Sequence, residues 1–213
     1  MGVMSVAAIT IARMSVAVIN RYHHPMVRWQ PDSRGRLEQA ALALYSERGF
    51  EKTTVAEIAE RAGLTERTFF RYFADKREVL FGGAGLLQEL LVSTVAGAPD
   101  SAAPIAVVAT ALDAAAGLLG QRREHSRARQ AVIVANPELQ ERELIKLATL
   151  ASAIAAALRA RGIKEPTASL TAEAGIAVFK IAFERWVSGS KTADLAQLMR
   201  ESFAELKAVT AGQ

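Results

Sequence analysis

Between residues 63 and 76 the sequence reads GLTERTFFRYFADK, which interleaves four aromatic side chains with three cations. Cationic side chains can neutralise phosphates, and arginine can also form paired hydrogen bonds with the edge of a guanine. Threonine and tyrosine hydroxyls can reach a sugar–phosphate backbone, and an exposed apolar group can contact a thymine methyl group. The residue types in this segment are therefore those of a surface that binds nucleic acid.

Helical spacing sorts these side chains onto two faces. Phe69 and Phe73 are four residues apart and face the same way, so we expect them to be buried together with Leu64. Glu66, Arg67, Phe70 and Arg71 fall on the opposite face, flanked by Thr68 and Tyr72. The inner aromatics would hold a helix too short to persist alone, and the outer face would be free to enter a DNA groove.

Two further helices are needed to position this one. A helix is predicted from Arg34 to Arg48, with Ser33 as its N-cap and Gly49 at its end. The next helix begins after Thr54, which forms a capping box with Glu57, and Gly63 breaks it. Thr65 then caps the aromatic helix. The spacing is that of a helix-turn-helix, in which the glycine serves a turn that favours positive φ.

At these residues the sequence resembles the TetR family of transcriptional regulators. The resemblance covers about residues 34–81 and rests on ERGFEKTTVAEIAERAGLTERTFFRYFADKREVLF. Counting the helix from Arg34 to Arg48 as the first, it has a threonine before helix two and Ala-Gly at the turn that follows. It also has an aromatic run in helix three and a lysine that opens helix four. The later stretch NPELQERELIKLATLASAIAAALRARG resembles members with an acyl-CoA-like ligand-binding C-terminal domain.

The resemblance implies a homodimeric repressor that binds palindromic operator DNA and is released by a small apolar or amphipathic effector. It assigns base reading to the start of helix three, phosphate or groove contacts to its end, and a phosphate contact to the following lysine. Phe70 departs from the family, which often has tyrosine there, and cannot donate to a phosphate. The implied DNA-binding residues are Thr54, Thr65, Glu66, Arg67, Thr68, Phe70, Arg71, Tyr72 and Lys76.

Composition limits the other classes of function. The 213 residues show no clear alternating strand pattern, so we predict an all-α protein. They include no cysteine, which agrees with a location in the cytoplasm. The formal net charge is +4. His23, His24 and His125 have no metal-ligand spacing, and no phosphate-binding loop or nucleophile elbow is present. We therefore expect no metal, no cofactor and no enzymatic activity.

Three regions are predicted along the chain: an N-terminal extension and basic arm (1–33), a three-helix DNA-binding domain (34–80) and a helical ligand-binding and dimerisation domain (81–213). The apolar start, MGVMSVAAITIARMSVAVIN, fits neither a secretory signal nor a membrane span, so no membrane partner is expected. We interpret it as an appendage outside the core fold. A start assigned too far upstream, or a helix docked on a partner subunit, are the alternatives.

The C-terminal region contains long apolar stripes. Phe179, Phe183 and Trp186 lie on one stripe, where they either line an effector pocket or, the favoured reading, fill the core. Arginines near residues 122–129 could approach the DNA-binding part or a ligand phosphate, although a solvated face is the more usual outcome. The alternative function is a helical small-molecule-binding or interaction protein without DNA binding, which Glu66 and Phe70 would favour.

Overall fold

Nine α-helices and one short 3₁₀ turn, with no strand, make up the residues that the computed structural model describes, 32–190 and 192–212. The all-α prediction is confirmed. The predictions for residues 1–31 lie outside the described residues. The helices are α1 Ser33–Arg48, α2 Val55–Arg61, α3 Glu66–Tyr72, α4 Ala84–Ala96, α5 Pro104–Gly120, α6 Arg123–Val134, α7 Pro137–Ala160, α8 Thr167–Ser188 and α9 Leu195–Thr210; the 3₁₀ turn is Glu78–Phe81.

The first three helices form where the cap and glycine signals predicted them. Helix α1 begins one residue earlier than expected, so Ser33 lies in its first turn rather than preceding it. Leu37 and Ala41 on α1 are fully buried. Gly49, with φ of +85°, ends the helix as predicted, because a left-handed residue without a side chain terminates an α-helix at little steric cost.

The segment after α3 differs from the expected fourth helix. Lys76 does not open a helix; Asp75 accepts hydrogen bonds from the backbone N–H groups of Arg77 and Glu78, and a 3₁₀ turn follows. Gly82 then lies beside the Glu38 side chain of α1, whose Oε1 would be 2.0 Å from an added Cβ. Gly82 and Gly83 separate this turn from α4, and their backbone stays in the right-handed helical region.

Helices α4 to α9 pack around a second, larger apolar core. Helix α5 is buried on one face, through residues such as Val108, Ala111 and Leu112. Gly175 lets α8 approach α5 closely, since an added Cβ would lie 2.4 Å from Val108 Cγ1. The small residues of α8 thus serve a contact within the chain.

Residues of α6 and α7 complete the apolar core of the three N-terminal helices. Val132 and Ile133 of α6 and Leu139 of α7 are buried in the same cluster as Leu37 and Phe69. Packing therefore continues across the boundary predicted between residues 34–80 and 81–213. The division into these two domains stays a prediction.

The segment Glu78–Ala96 is apolar and long enough, by composition and length alone, to cross a membrane. The core helix of a folded protein satisfies the same criterion. Leu91 and Val95 of this segment are buried in the larger apolar core, whereas Leu86 is exposed. The expectation of no membrane partner stays a prediction.

Candidate nucleic-acid interface and ligand cavity

The turn between α2 and α3 is stabilised by a glycine with positive φ, by a backbone hydrogen bond and by the side chain of Arg36. Gly63 has φ of +64°, as the turn requires, and the Leu64 N–H donates to the Ala59 carbonyl at 2.8 Å. Arg36 reaches from α1 and donates to the carbonyls of Ala62 and Gly63. The crossing of the two short helices is therefore fixed by backbone hydrogen bonds as well as by packing.

The inner face of α3 anchors it to the core. Phe69 is 0% and Phe73 4% exposed, and their ring centroids lie 5.5 Å apart. Thr65 caps the helix, because its hydroxyl accepts from the Thr68 N–H at 3.2 Å. A seven-residue helix gains its stability from such contacts rather than from its own backbone.

The outer face of α3 is open to solvent. Phe70 is 55% exposed, and Arg67 and Arg71 are also exposed. The Arg71 guanidinium lies over the Tyr72 ring at 4.8 Å and donates to its hydroxyl at 3.0 Å. Tyr72 therefore pairs with Arg71 through a cation–π contact and a hydrogen bond.

The other residues predicted to contact DNA differ in their exposure and in their hydrogen bonds within the protein. The capping box on α2 is present: Thr54 Oγ1 accepts from the Glu57 N–H at 3.2 Å, and Glu57 Oε2 accepts from the Thr54 N–H at 2.8 Å. Thr54 remains exposed, and these bonds hold the pKa of Glu57 below its usual value. Thr65, Glu66 and Thr68 surround the first turn of α3, where Glu66 is exposed and Thr68 is half-buried.

Lys76 is engaged within the protein. Its ammonium group donates to the carbonyls of Phe50, Glu51 and Thr53 at 3.0, 3.2 and 3.2 Å, and lies 4.3 Å from the centre of the Phe50 ring. Tyr45 also donates to the Lys76 carbonyl at 2.6 Å. Since an ammonium group has three hydrogens, this geometry favours a structural role. The predicted phosphate contact of Lys76 stays a prediction.

Ionic contacts join the 3₁₀ turn to the body. Arg129 on α6 donates to the Leu80 carbonyl at 2.6 Å and to Glu143 on α7 at 2.9 Å. Glu78 of the turn forms ion pairs with Arg142 at 2.6 Å and Lys146 at 3.0 Å on α7. The connector between the DNA-binding part and the body is thus held by α6 and α7.

A cavity of about 250 Å³ lies against this connector. Leucines of α4, α5 and α7, together with Phe179 and Phe183 of α8, give it an apolar lining. Polar side chains of α6, α7 and α8 form other parts of the wall, together with the residues 79–83 and Glu38 of α1. Ligand cavities combine a mainly apolar lining with a few polar groups in this way.

Two family models match this chain. The model described as "Bacterial regulatory proteins, tetR family" matches residues 38–81, and the model of the MftR C-terminal domain matches residues 102–211, just over half of the chain. The chain belongs to the TetR family. The first match contains the helix-turn-helix, and the second contains α5 to α9.

Curated relatives of this TetR-family chain match it over shorter segments. The transcriptional regulator TcmR of Streptomyces glaucescens is 34% identical over 85 residues, 40% of this chain and 38% of TcmR. The transcriptional repressor KstR2 of Mycobacterium tuberculosis is 40% identical over 47 residues, 22% of this chain and 24% of KstR2. The chain thus covers well under half of the length of either relative.

Solved structures show the same fold over most of the chain. A TetR-family regulator from Syntrophomonas wolfei has a TM-score of 0.63 at 16% identity, covering 85% of this chain and 96% of that one. FadR from Bacillus subtilis, solved with stearoyl-CoA, has a TM-score of 0.58 at 19% identity, with coverages of 81% and 96%. FadR from Thermus thermophilus, solved with lauroyl-CoA, has a TM-score of 0.50 at 24% identity, covering 82% and 93%.

The three predicted ligand-binding residues occupy different environments. Phe179 and Phe183 line the cavity with ring centroids 5.7 Å apart. Trp186 is only 2% exposed and belongs to the core, where its carbonyl accepts from Arg123 at 3.1 Å. Ligand contact by these residues stays a prediction, which the geometry favours for the two phenylalanines.

The polar wall of the cavity was not predicted. Some of its side chains lie on α6 among the arginines for which the sequence favoured a solvated face, and others lie on α7 and α8. That interpretation is wrong for Arg123 and Arg129, which bond to carbonyls of other segments. A signal was present, since four arginines fall within eight residues that also contain His125. Their pattern did not indicate which side of the helix would face a cavity.

Proposed function

We propose that this chain is a one-component transcriptional repressor that binds palindromic operator DNA as a homodimer in the cytoplasm. The observation that carries the proposal is the division of α3: Phe69 is fully buried, while Arg67, Phe70 and Arg71 project into solvent. A recognition helix needs a fixed inner face and an accessible outer face to enter a major groove. Family membership supports the same function.

Each outer side chain has a chemical role in this proposal. Arg67 would donate a pair of hydrogen bonds to guanine O6 and N7, and Glu66 would accept from a cytosine amine or orient Arg67. Phe70 would contact a thymine methyl group or a sugar. Arg71 and Tyr72, already held together, would contact phosphates, with Thr54, Thr65 and Thr68 as further backbone or base contacts.

Exposed apolar residues on α8 support dimerisation through the C-terminal helices. Leu170 is 65% and Ile181 53% exposed, and Ala177 is exposed between them. These positions recur at helical spacing, so they share one face. Burying such a stripe against its copy in a second protomer would remove it from water.

A small apolar or amphipathic effector would bind in the cavity beside the connector. Because residues 79–83 and Glu38 form part of the wall, an occupant would contact the segments that support the helix-turn-helix. The acyl-CoA thioesters bound by the two FadR structures are amphipathic ligands of this kind. Binding would change the separation of the two heads, so that they no longer match both half-sites.

A gel-shift experiment with the DNA upstream of this protein's own gene tests the proposal. We expect a shift at low salt that is lost in the double variant Arg67→Ala/Thr68→Ala and retained in Arg127→Ala, which removes an exposed arginine from α6. Absence of a shift at low salt, or a shift that the double variant leaves unchanged, would contradict it.

The alternative is a helical small-molecule-binding or interaction protein without DNA binding. The exposed carboxylate of Glu66, the missing hydroxyl at Phe70 and the internal bonds of Lys76 favour it. It predicts that the cavity binds a ligand while neither the wild type nor any variant shifts DNA. The open, cationic outer face of α3 favours the repressor.

A further inference from the structure

Ser126 on α6 presents an unused hydroxyl group to the cavity. The residue lines the cavity and is only 6% exposed, yet its Oγ makes no hydrogen bond with the residues that the structure describes. Ser46 and Ser202, which also lie in helices, donate instead to the carbonyl four residues earlier, both at 2.8 Å. Ser126 Oγ is not among the sealed, unpaired polar atoms of the described chain, so a group inside the cavity can reach it. This serine therefore has a donor available for a ligand.

Arg129 lies one helical turn after Ser126 and lines the same cavity. Its Nε donates to the Leu80 carbonyl and its Nη1 to Glu143, while Nη2 makes no hydrogen bond within the described part of the chain. Burial lowers the pKa of Arg129, and the carboxylate of Glu143 offsets this only in part. A buried cation is unfavourable unless it is well paired, so a second anion beside Nη2 would be stabilised.

The surrounding charges leave the cavity wall with an excess of positive charge. Arg122 and Lys180 border the cavity and form no ion pair with described residues, and among the bordering carboxylates this holds only for Glu184, since the other two are paired. Burial lowers the pKa of His125, and the charges of Arg122 and Arg129 lower it further, with no carboxylate opposing them. The electrostatic potential at this end of the cavity therefore favours an anion.

These groups are neighbours on one helix face. The Ser126 N–H donates to the Arg122 carbonyl at 2.9 Å, so the two residues are one α-helical turn apart. Side chains three or four positions apart on a helix lie next to each other, which places Ser126 between Arg122 and Arg129. The leucines of α4, α5 and α7 and the rings of Phe179 and Phe183 line other parts of the cavity and suit a hydrocarbon chain.

We propose that the cavity binds an amphipathic carboxylate, whose anionic group accepts hydrogen bonds from Ser126 and Arg129 inside the cavity. Arg122 and Lys180 at its border add attraction for the same charge. Because Arg129 also holds the Leu80 carbonyl, the ligand's charge acts on a residue that fixes the connector to the helix-turn-helix. This inference deepens the effector role proposed above, and rests on it only for the cavity being the effector site.

The test uses octanoate and octan-1-ol, which share a chain length but differ in charge, titrated calorimetrically into the full-length protein at neutral pH. We expect the wild type to bind octanoate about tenfold more tightly, as a charge-assisted hydrogen bond would give. In Ser126→Ala this preference should fall to about twofold or less, because alanine cannot donate to the carboxylate. Arg122→Gln, which changes only an exposed position, should also reduce it.

Two controls remove the same chemical groups elsewhere. Ser202→Ala removes a buried helical hydroxyl that is already hydrogen-bonded, and Arg127→Gln removes an exposed arginine of α6 that does not line the cavity. Both should retain the preference for octanoate. Its loss in Arg127→Gln would show a general effect of net charge and would overturn the inference. Thermal unfolding checks that Ser126→Ala is folded.

Equal affinities of the two probes, no binding of either, or a preference that survives in Ser126→Ala would also overturn the inference. So would binding of octanoyl-CoA without binding of octanoate, because the anion would then be the coenzyme phosphate rather than a carboxylate. Since binding is measured without DNA, a failed gel shift together with a carboxylate preference would contradict the repressor function and leave the cavity chemistry supported.

Discussion

At the scale of single residues, charge alone does not say which cations are available to DNA. Arg71 and Lys76 are both cationic neighbours in a segment that resembles a DNA-binding motif. Arg71 is exposed and packs on Tyr72, whereas Lys76 is half-buried and surrounded by three carbonyls. The two should therefore respond differently to the same substitution.

We predict that Lys76→Met lowers the free energy of unfolding by about 1–3 kcal/mol, because hydrogen bonds from a charged group to three backbone carbonyls are lost. Arg71→Met should leave that free energy within about 0.5 kcal/mol, and reduce the slope of log affinity against log salt by about one. Urea unfolding and operator titrations at several salt concentrations measure both. The opposite assignment, an unchanged stability and a reduced slope for Lys76→Met, would show that Lys76 contacts phosphate.

His125 should make stability depend on pH near neutrality. Burial lowers its pKa in the folded state from an ordinary value of 6.5, so below about pH 6.5 the unfolded chain binds a proton that the folded chain does not. The free energy of unfolding should therefore decrease as pH falls from 7.5 to 5.5, and His125→Gln should flatten this dependence. Denaturant titrations of both proteins across that range measure the difference, and parallel curves would contradict it.

At the scale of elements, the short helices depend on their caps and on the turn between them. The sequence predicted this arrangement well, because capping residues and a left-handed glycine act over only a few positions. The expected helix start at Lys76 was wrong, since Asp75 accepts hydrogen bonds from the N–H groups of Arg77 and Glu78 and a 3₁₀ turn forms instead.

Gly63→Ala should destabilise the protein by about 1–2 kcal/mol, because a side chain is unfavourable in the left-handed region. An added Cβ would also lie 3.0 Å from the guanidinium of Arg36. The matched control is Gly83→Ala, whose added Cβ meets nothing within 4 Å and whose φ is −81°, so its stability should be unchanged or higher. Equal thermal unfolding of the two variants would show that the turn does not require glycine.

At the scale of the whole molecule, the DNA-binding part and the body are mechanically continuous. Ile133 of α6 is fully buried in the core that also contains Phe69, and Arg129 holds the Leu80 carbonyl beside it. An effector in the cavity would therefore act on a connector that is already joined to α6 and α7. This continuity also predicts how the protein unfolds.

Ile133→Ala should lower the free energy of unfolding by about 2–5 kcal/mol, as expected for the loss of a buried side chain. It should also reduce operator affinity, although Ile133 lies far along the chain from α3. Hydrogen exchange would show increased exposure of amides in α1 to α3. Val134→Ala, at an adjacent position that is 61% exposed, should change neither quantity. Protection of α1 to α3 that is unaffected in Ile133→Ala would indicate independent domains.

The sequence by itself determined the helices of the DNA-binding part, the division of α3 into buried and exposed faces, and the resemblance to the TetR family. Those features depend on periodicity, caps and a glycine turn. These signals involve residues that are close in sequence, so a single sequence is enough to recognise them. Only the tertiary structure decided that Lys76 is enclosed by carbonyls, that Arg129 bridges the connector to α7, and that Gln130 rather than Trp186 lines the cavity. These depend on which helices meet in space, and burial by a distant helix leaves no mark on the spacing of nearby residues.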